Sequence, residues 1–146
     1  AAEEFPGAES RDTGAGVGRC VTDFIQMADR LLVVTTGDFT AVADAYGINK
    51  VVVQQGFTNP IYLVVNRARS PEEAAQVFKK MFYCTEKFLR LNIQWLGLIP
   101  EDHGVNKSIQ QRSPFLIAFP DSNAARYLKQ VANEVEKWFN VAVTAQ

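Results

Sequence analysis

Three short apolar runs rich in β-branched residues limit what this chain can become. They are Leu31-Leu32-Val33-Val34-Thr35-Thr36, Ile61-Tyr62-Leu63-Val64-Val65-Asn66 and Ile93-Gln94-Trp95-Leu96-Gly97-Leu98-Ile99. None alternates cleanly between apolar and polar, so each reads as a strand buried on both faces. Between them lie stretches of helical period, from Thr40 to about Gln55 and from 71 to 91. Strands that alternate with helices predict an α/β fold: a small parallel sheet of about three to four strands, flanked by helices on both faces.

The helix over 71–91 has the strongest start signal. Ser70 can cap it, Pro71 suits its first turn, and Glu73 can reach back to the cap amide. Ala74, Val77, Phe78, Met81, Phe82, Phe88 and Leu89 form its expected buried stripe. Val21, Phe24, Ile25 and Ala28 suggest a short helix over 19–28, and Val105 to Gln111 another. FLIAF, between Pro114 and Pro120, reads as extended. The last helix is expected over 122–139, burying Ala125, Leu128, Val131, Ala132, Val135, Trp138 and Phe139. Residues 1–11 read as a flexible N-terminal tail and 140–146 as a C-terminal tail, around a single domain over 12–139.

Composition narrows the function classes. A net charge of −1 argues against a dedicated nucleic-acid binder, which usually carries a strong basic excess. Two cysteines far apart, Cys20 and Cys84, give no disulfide framework. No apolar run approaches the roughly 18 residues that span a bilayer. The N-terminus lacks the basic start and apolar stretch of a signal peptide. The expectation is a cytoplasmic protein.

Ligands of open parallel sheets bind beyond the carboxyl ends of the strands. There the sequence offers Thr35, Thr36, Gly37 and Asp38, then Asn66 and Arg67, then Pro100, Glu101, Asp102 and His103. Glu101, Asp102 and His103 are adjacent in sequence and cannot easily converge on one ion, so a solvated turn is the better reading. His103 is the only histidine, and both cysteines fall on helix faces, so nucleophilic catalysis is disfavoured. Gly14-Ala15-Gly16-Val17-Gly18 lacks the preceding strand and the final spacing of a dinucleotide loop. A flexible turn before a helix remains an alternative reading of those glycines.

The order of segments says more than any one of them. Asp12-Thr13-Gly14-Ala15-Gly16, Val34-Thr35-Thr36, Asp44-Ala45-Tyr46, Val64-Val65-Asn66-Arg67, Leu98-Ile99-Pro100-Glu101-Asp102 and Arg112-Ser113-Pro114-Phe115 follow one another. In that order the chain resembles the MinD/ParA group of P-loop ATPases over residues 12 to about 139. Within the group it is most similar to the FlhG (FleN) type, which controls flagellar number and placement. The resemblance implies a partial P-loop NTPase fold, ATP or ADP with Mg²⁺ as cofactors, and flagellar assembly proteins as partners. It implies that Asp12 serves as the switch II catalytic and magnesium residue, with Gly14 and Gly16 in its mobile loop. By the same resemblance Asn66 and Arg67 line the adenine pocket, and Pro100, Glu101 and Asp102 wall its other side.

The chain departs from that pattern at the phosphate cradle. No Gly-Lys-Ser or Gly-Lys-Thr occurs in it, and such a loop is what holds phosphates with backbone N–H groups and a lysine. The stretch therefore reads as the C-terminal half of such a domain without its P-loop half, not expected to hydrolyse ATP alone. In the family, the strand matching Leu31–Thr36 pairs with the P-loop strand. Left unpaired, that apolar edge invites another chain, and a homodimer across Leu31–Thr36 is expected. The alternative function is then a nucleotide-free homo-oligomeric interaction or structural module. The last helix mixes Lys129 and Lys137 with Glu134 and Glu136 on its polar face, so packing on the sheet is expected rather than a membrane.

Overall fold

In the computed structural model, the described residues are 9–11, 23, 25 and 27–143. The elements run β1 (Leu31–Thr35), α1 (Phe39–Gln54), β2 (Ile61–Ala68), α2 (Pro71–Leu89), β3 (Gln94–Pro100), α3 (His103–Gln110), α4 (Phe115–Ala118) and α5 (Asn123–Val143). The strands form one sheet in the order β1-β2-β3. Both pairings are parallel, with Val33 opposite Leu63 and Val65 opposite Leu98. The chain thus makes two βαβ units that share β2. Asp23, Ile25 and Met27 are helical, and the rest of the helix expected over 19–28 lies outside the described residues.

The core sits between one face of the sheet and helices α1 and α2. Val33, Leu63 and Val65 pack there with Ala45 and Val52 of α1 and Ala74, Val77 and Met81 of α2. Burying each larger apolar side chain contributes about 1.5–3 kcal/mol. On the opposite face, α5 lies over β3 and β2. Its Trp138 ring stands 4.4 Å from that of Tyr62. A Cβ added to Gly97 of β3 would come 2.8 Å from Val131 Cγ2 of α5.

This arrangement corrects the expectation that all three strands are buried on both faces. β2 is, since it is central and covered twice. β1 is not: α5 stops short of it, leaving Leu32 41% and Val34 56% exposed. β3 is half-buried along most of its length because it forms the other edge among the described residues.

Smaller corrections follow the same logic. FLIAF is not extended: residues 115–118 form a single helical turn, with Ile117 and Ala118 N–H both donating to the Pro114 carbonyl. On α2, Phe88 is exposed, and Thr85 takes a core position, its hydroxyl donating to the Phe82 carbonyl at 3.1 Å. On α5, Ala132 is exposed and Ala124 is fully buried, one phase step from the expected stripe. Ser70 does cap α2, accepting from Glu73 N at 3.1 Å. The Glu73 carboxylate, however, does not return to the cap amide. Its Oε2 accepts from Arg69 N at 2.7 Å, one residue earlier.

Candidate functional site

The three strand ends do converge. Thr36, Gly37 and Asp38 after β1, Arg67 at the end of β2, Arg69 and Glu73 around the start of α2, and Glu101 after β3 line one small cleft of about 70 Å³, open to solvent. That is well below the ~300–1,000 Å³ of an enclosed small-molecule site, so the cleft has room for one end of a ligand only.

Arg67 enters the cleft through a break in the ladder. Asn66 pairs with Ile99 and Ala68 with Pro100, and the register shifts between them, so Arg67 is left over. Its φ is +54°, in the left-handed region. Non-glycine residues there cost on the order of 1 kcal/mol or more and cluster at functional sites, as do bulges. Asn66 supports the turn: its Oδ1 accepts from Arg67 N at 2.9 Å, leaving the side-chain NH₂ as the unspent donor. Across the cleft Arg67 Nη2 stands 3.7 Å from Glu101 Oε1, with both side chains more than half exposed. An exposed pair of this length contributes little stability and can exchange partners readily. Glu101 N is anchored on the Ala68 carbonyl at 2.9 Å.

The opposite wall is held by local contacts. Thr36 Oγ1 donates to Asp38 Oδ2 at 2.9 Å, while Asp38 N donates back to that hydroxyl at 3.3 Å. A Cβ on Gly37 would lie 2.8 Å from Glu73 Oε1, so glycine lets the β1–α1 turn close over that carboxylate. The walls therefore alternate two guanidinium groups with three carboxylates and a hydroxyl. They suit a polar group that both donates and accepts.

Asp102 lies apart from this lining. Its Oδ1 accepts from Gly104 N at 2.8 Å and its Oδ2 from Ala124 N at 3.2 Å. One carboxylate thus caps α3 and holds the start of α5. The Gly104 N–H, then that of Ala124, with smaller help from Ser122 and His103, hold its carboxyl below the ordinary aspartate range against a modest desolvation. Pro100 is the half-buried last residue of β3 and does not line the cleft. Asp12, Gly14 and Gly16 lie outside the described residues. Among the described residues no three His, Cys, Asp or Glu side chains gather to hold a metal ion.

Of the residues singled out from sequence, the cleft brings together Thr36, Gly37, Asp38, Arg67 and Glu101, with Asn66 beside them. Arg69 and Glu73 were missed. Glu73 was hidden by its reading as a capping-box acid, and Arg69 by a bulge that a single sequence does not display.

No family model matches the chain. The antiactivator FleN of Pseudomonas aeruginosa is 34% identical over 127 residues, which are 87% of this chain and 45% of FleN. The flagellum site-determining protein YlxH of Helicobacter pylori is 25% identical over 122 residues, 83% of this chain and 41% of YlxH. Among solved structures, the cell division ATPase MinD of Pyrococcus furiosus superposes with a TM-score of 0.62 at 23% identity, over 87% of this chain and 50% of that one. MinD of Pyrococcus horikoshii, solved with Mg-ADP, gives 0.63 at 21% identity, over 89% and 50%. The chain thus spans about half the length of the proteins it matches, and its small parallel sheet with helices has the fold of the corresponding part of MinD.

Proposed function

The chain is a relative of FleN and of the MinD-type ATPases, matched over 87% of its length, and on that footing we propose that it is part of a MinD/ParA-family regulator of flagellar number or placement. The cleft at the three strand ends carries the reading, with Arg67 thrown into it by a bulge and a left-handed turn. In this reading the cleft is the base end of an ATP or ADP site. Asn66, through its side-chain NH₂, and Arg67 meet the base edge, and Glu101 bounds its other side, with Pro100 and Asp102 supporting that turn from outside the lining. The polar walls fit a base edge or a ribose; the roles of Asp12 toward magnesium and of Gly14 and Gly16 toward the phosphates rest on the family resemblance. Bound nucleotide supplies a phosphate charge that a regulator can sense. These 146 residues contain no Gly-Lys-Ser or Gly-Lys-Thr, so we expect no hydrolysis by this stretch on its own. Flagellar assembly proteins are the partners this reading implies, and the cytoplasm its setting.

A second reading has its own observation. Among the described residues β1 pairs only with β2, which leaves its other edge open, and the face beside that edge exposes Leu32 and Val34. Such an edge is a template for a further strand. It supports a homodimer through Leu31–Thr36, and with it a nucleotide-free interaction or structural module. Calorimetric titration with Mg-ATP and with ADP, with the mass measured by light scattering in the same buffer, separates the two. Saturable binding that Arg67→Ala and Asn66→Ala weaken favours the regulator. No heat at millimolar nucleotide, with a dimer that Leu32→Lys plus Val34→Lys dissociates, favours the module. A monomer that binds no nucleotide refutes both.

A further inference from the structure

The outer face of α2 carries a feature that the nucleotide cleft does not use. Over residues 79–90 the chain places Lys79, Lys80, Lys87 and Arg90 against one carboxylate, Glu86, although its overall net charge is −1. Lys79, Lys80, Tyr83 and Lys87 follow the three- and four-residue spacing of one helical stripe, and all are exposed. Among the described residues none of the four cations lies within ion-pair distance of a carboxylate. Two aromatic rings stand out with them, Tyr83 at 56% and Phe88 at 63% exposure. Lys87 Nζ stands 5.2 Å from the Tyr83 ring centre and 5.4 Å from that of Phe88, and donates to Tyr83 Oη at 3.0 Å. The lysine thereby lies close to both rings at the surface.

A solvated helix face needs lysines, but it does not need two large aromatic groups held among them. We propose that this face docks an acidic segment of a partner protein, one that carries Asp or Glu side chains around an apolar residue. Charge complementarity selects that occupant. Four cations answer carboxylates, and the Tyr83–Lys87–Phe88 cluster offers the apolar contact between them. The stretch from 79 to 90 is about 16 Å long at the helical rise, the span of about five residues of extended chain. Two rings give too little apolar area to seat a membrane, and one helix face is too short for the phosphate track of a nucleic acid. The face begins about 9 Å along α2 from Glu73 of the cleft, so the proposal stands whether or not the cleft binds nucleotide.

The probe is a fluorescein-labelled ten-residue peptide, glutamate-rich with one central phenylalanine, titrated with the whole chain and followed by anisotropy. Exposed charge pairs are each worth factors of about 1.4 to 5 in affinity. The triple variant Lys79→Glu, Lys80→Glu, Lys87→Glu should therefore weaken saturable binding by about threefold to a hundredfold. Tyr83→Ser should weaken it about threefold, and Lys129→Glu on α5 should leave it unchanged. Circular dichroism should be the same for all. The proposal is overturned by equal affinity in the triple variant, by equal binding of a lysine-rich control peptide, or by no binding at millimolar peptide. Binding to phosphatidylglycerol vesicles or to single-stranded oligonucleotide in preference to the peptide overturns it as well.

Discussion

Asp102 joins two helices through one side chain, and its removal has a calculable cost. Replacing it with alanine deletes the N-cap of α3, worth about 1 kcal/mol. It also strips the partner from Ala124 N, whose residue is fully buried. A buried donor left unpaired costs about 1–3 kcal/mol. Asp102→Ala should therefore destabilise the chain by about 2–4 kcal/mol, a large share of the roughly 5–15 kcal/mol that holds a domain together. At this chain length the melting temperature should fall by about 5–12 °C. Asp102→Asn keeps an oxygen for Gly104 N, and asparagine is as good a cap as aspartate. Its NH₂ cannot accept from Ala124 N, so about half the loss should remain. The carboxyl is held low in the folded chain, chiefly by the Gly104 and Ala124 N–H groups. Its contribution is therefore present above its unfolded pKa, near 3.9, and lost as pH falls through the lower folded value. Both variants should show a flatter acid limb than the parent. Urea unfolding followed by circular dichroism at pH 7 and at a series of lower pH values measures all of this. If Asp102→Ala comes within about 0.5 kcal/mol of the parent at pH 7, the two-helix clasp is refuted.

Three further outcomes are expected. Gly97→Ala drives a methyl to 2.8 Å from Val131 Cγ2 and should cost about 1–3 kcal/mol; adding Val131→Ala should recover part of that loss, and strict additivity of the two in denaturant titrations would rule out the contact. Asn49 is fully buried; among the described residues its Oδ1 has no partner and its Nδ2 reaches only Met81 Sδ at 3.9 Å. Asn49→Leu removes that unpaired oxygen and should be neutral or stabilising, which a melting temperature more than a few degrees lower would contradict. Gly37→Ala pushes on the Glu73 carboxylate and should free Arg69 N; faster amide exchange at Arg69 with the global melting point nearly unchanged is the expected signature.

How much of this was legible in the residues depends on how local the signal was. β2, central and covered twice, read correctly as a solid apolar run. β1 carries the same kind of run, yet half of it is exposed, because the reach of α5 is a tertiary property. Ser70 and Pro71 announced α2 in the right place. The Glu73 side chain chose Arg69 N over the cap amide, a choice set by the close approach of Gly37. The convergence of the strand ends follows from a parallel sheet alone. What separates Arg67 from the rest of the rim is a bulge and a positive φ, and arginine, unlike glycine, gives no compositional sign of either. FLIAF was misread because proline at both ends suggests extension, while Pro114 in fact offers its carbonyl to the turn that follows it.

The shared strand of the two βαβ units bears on how the chain acquires its structure. Each strand lies beside its nearest neighbour in sequence, and each crossover is a single helix. Among the described residues no pairing waits on a distant segment, so the loop-closure entropy of each of these steps is small for a parallel sheet. β2 can be completed from either side. We expect it to carry the highest φ-values, with β1 and β3 adding to it as it forms, and the α5 clasp closing late.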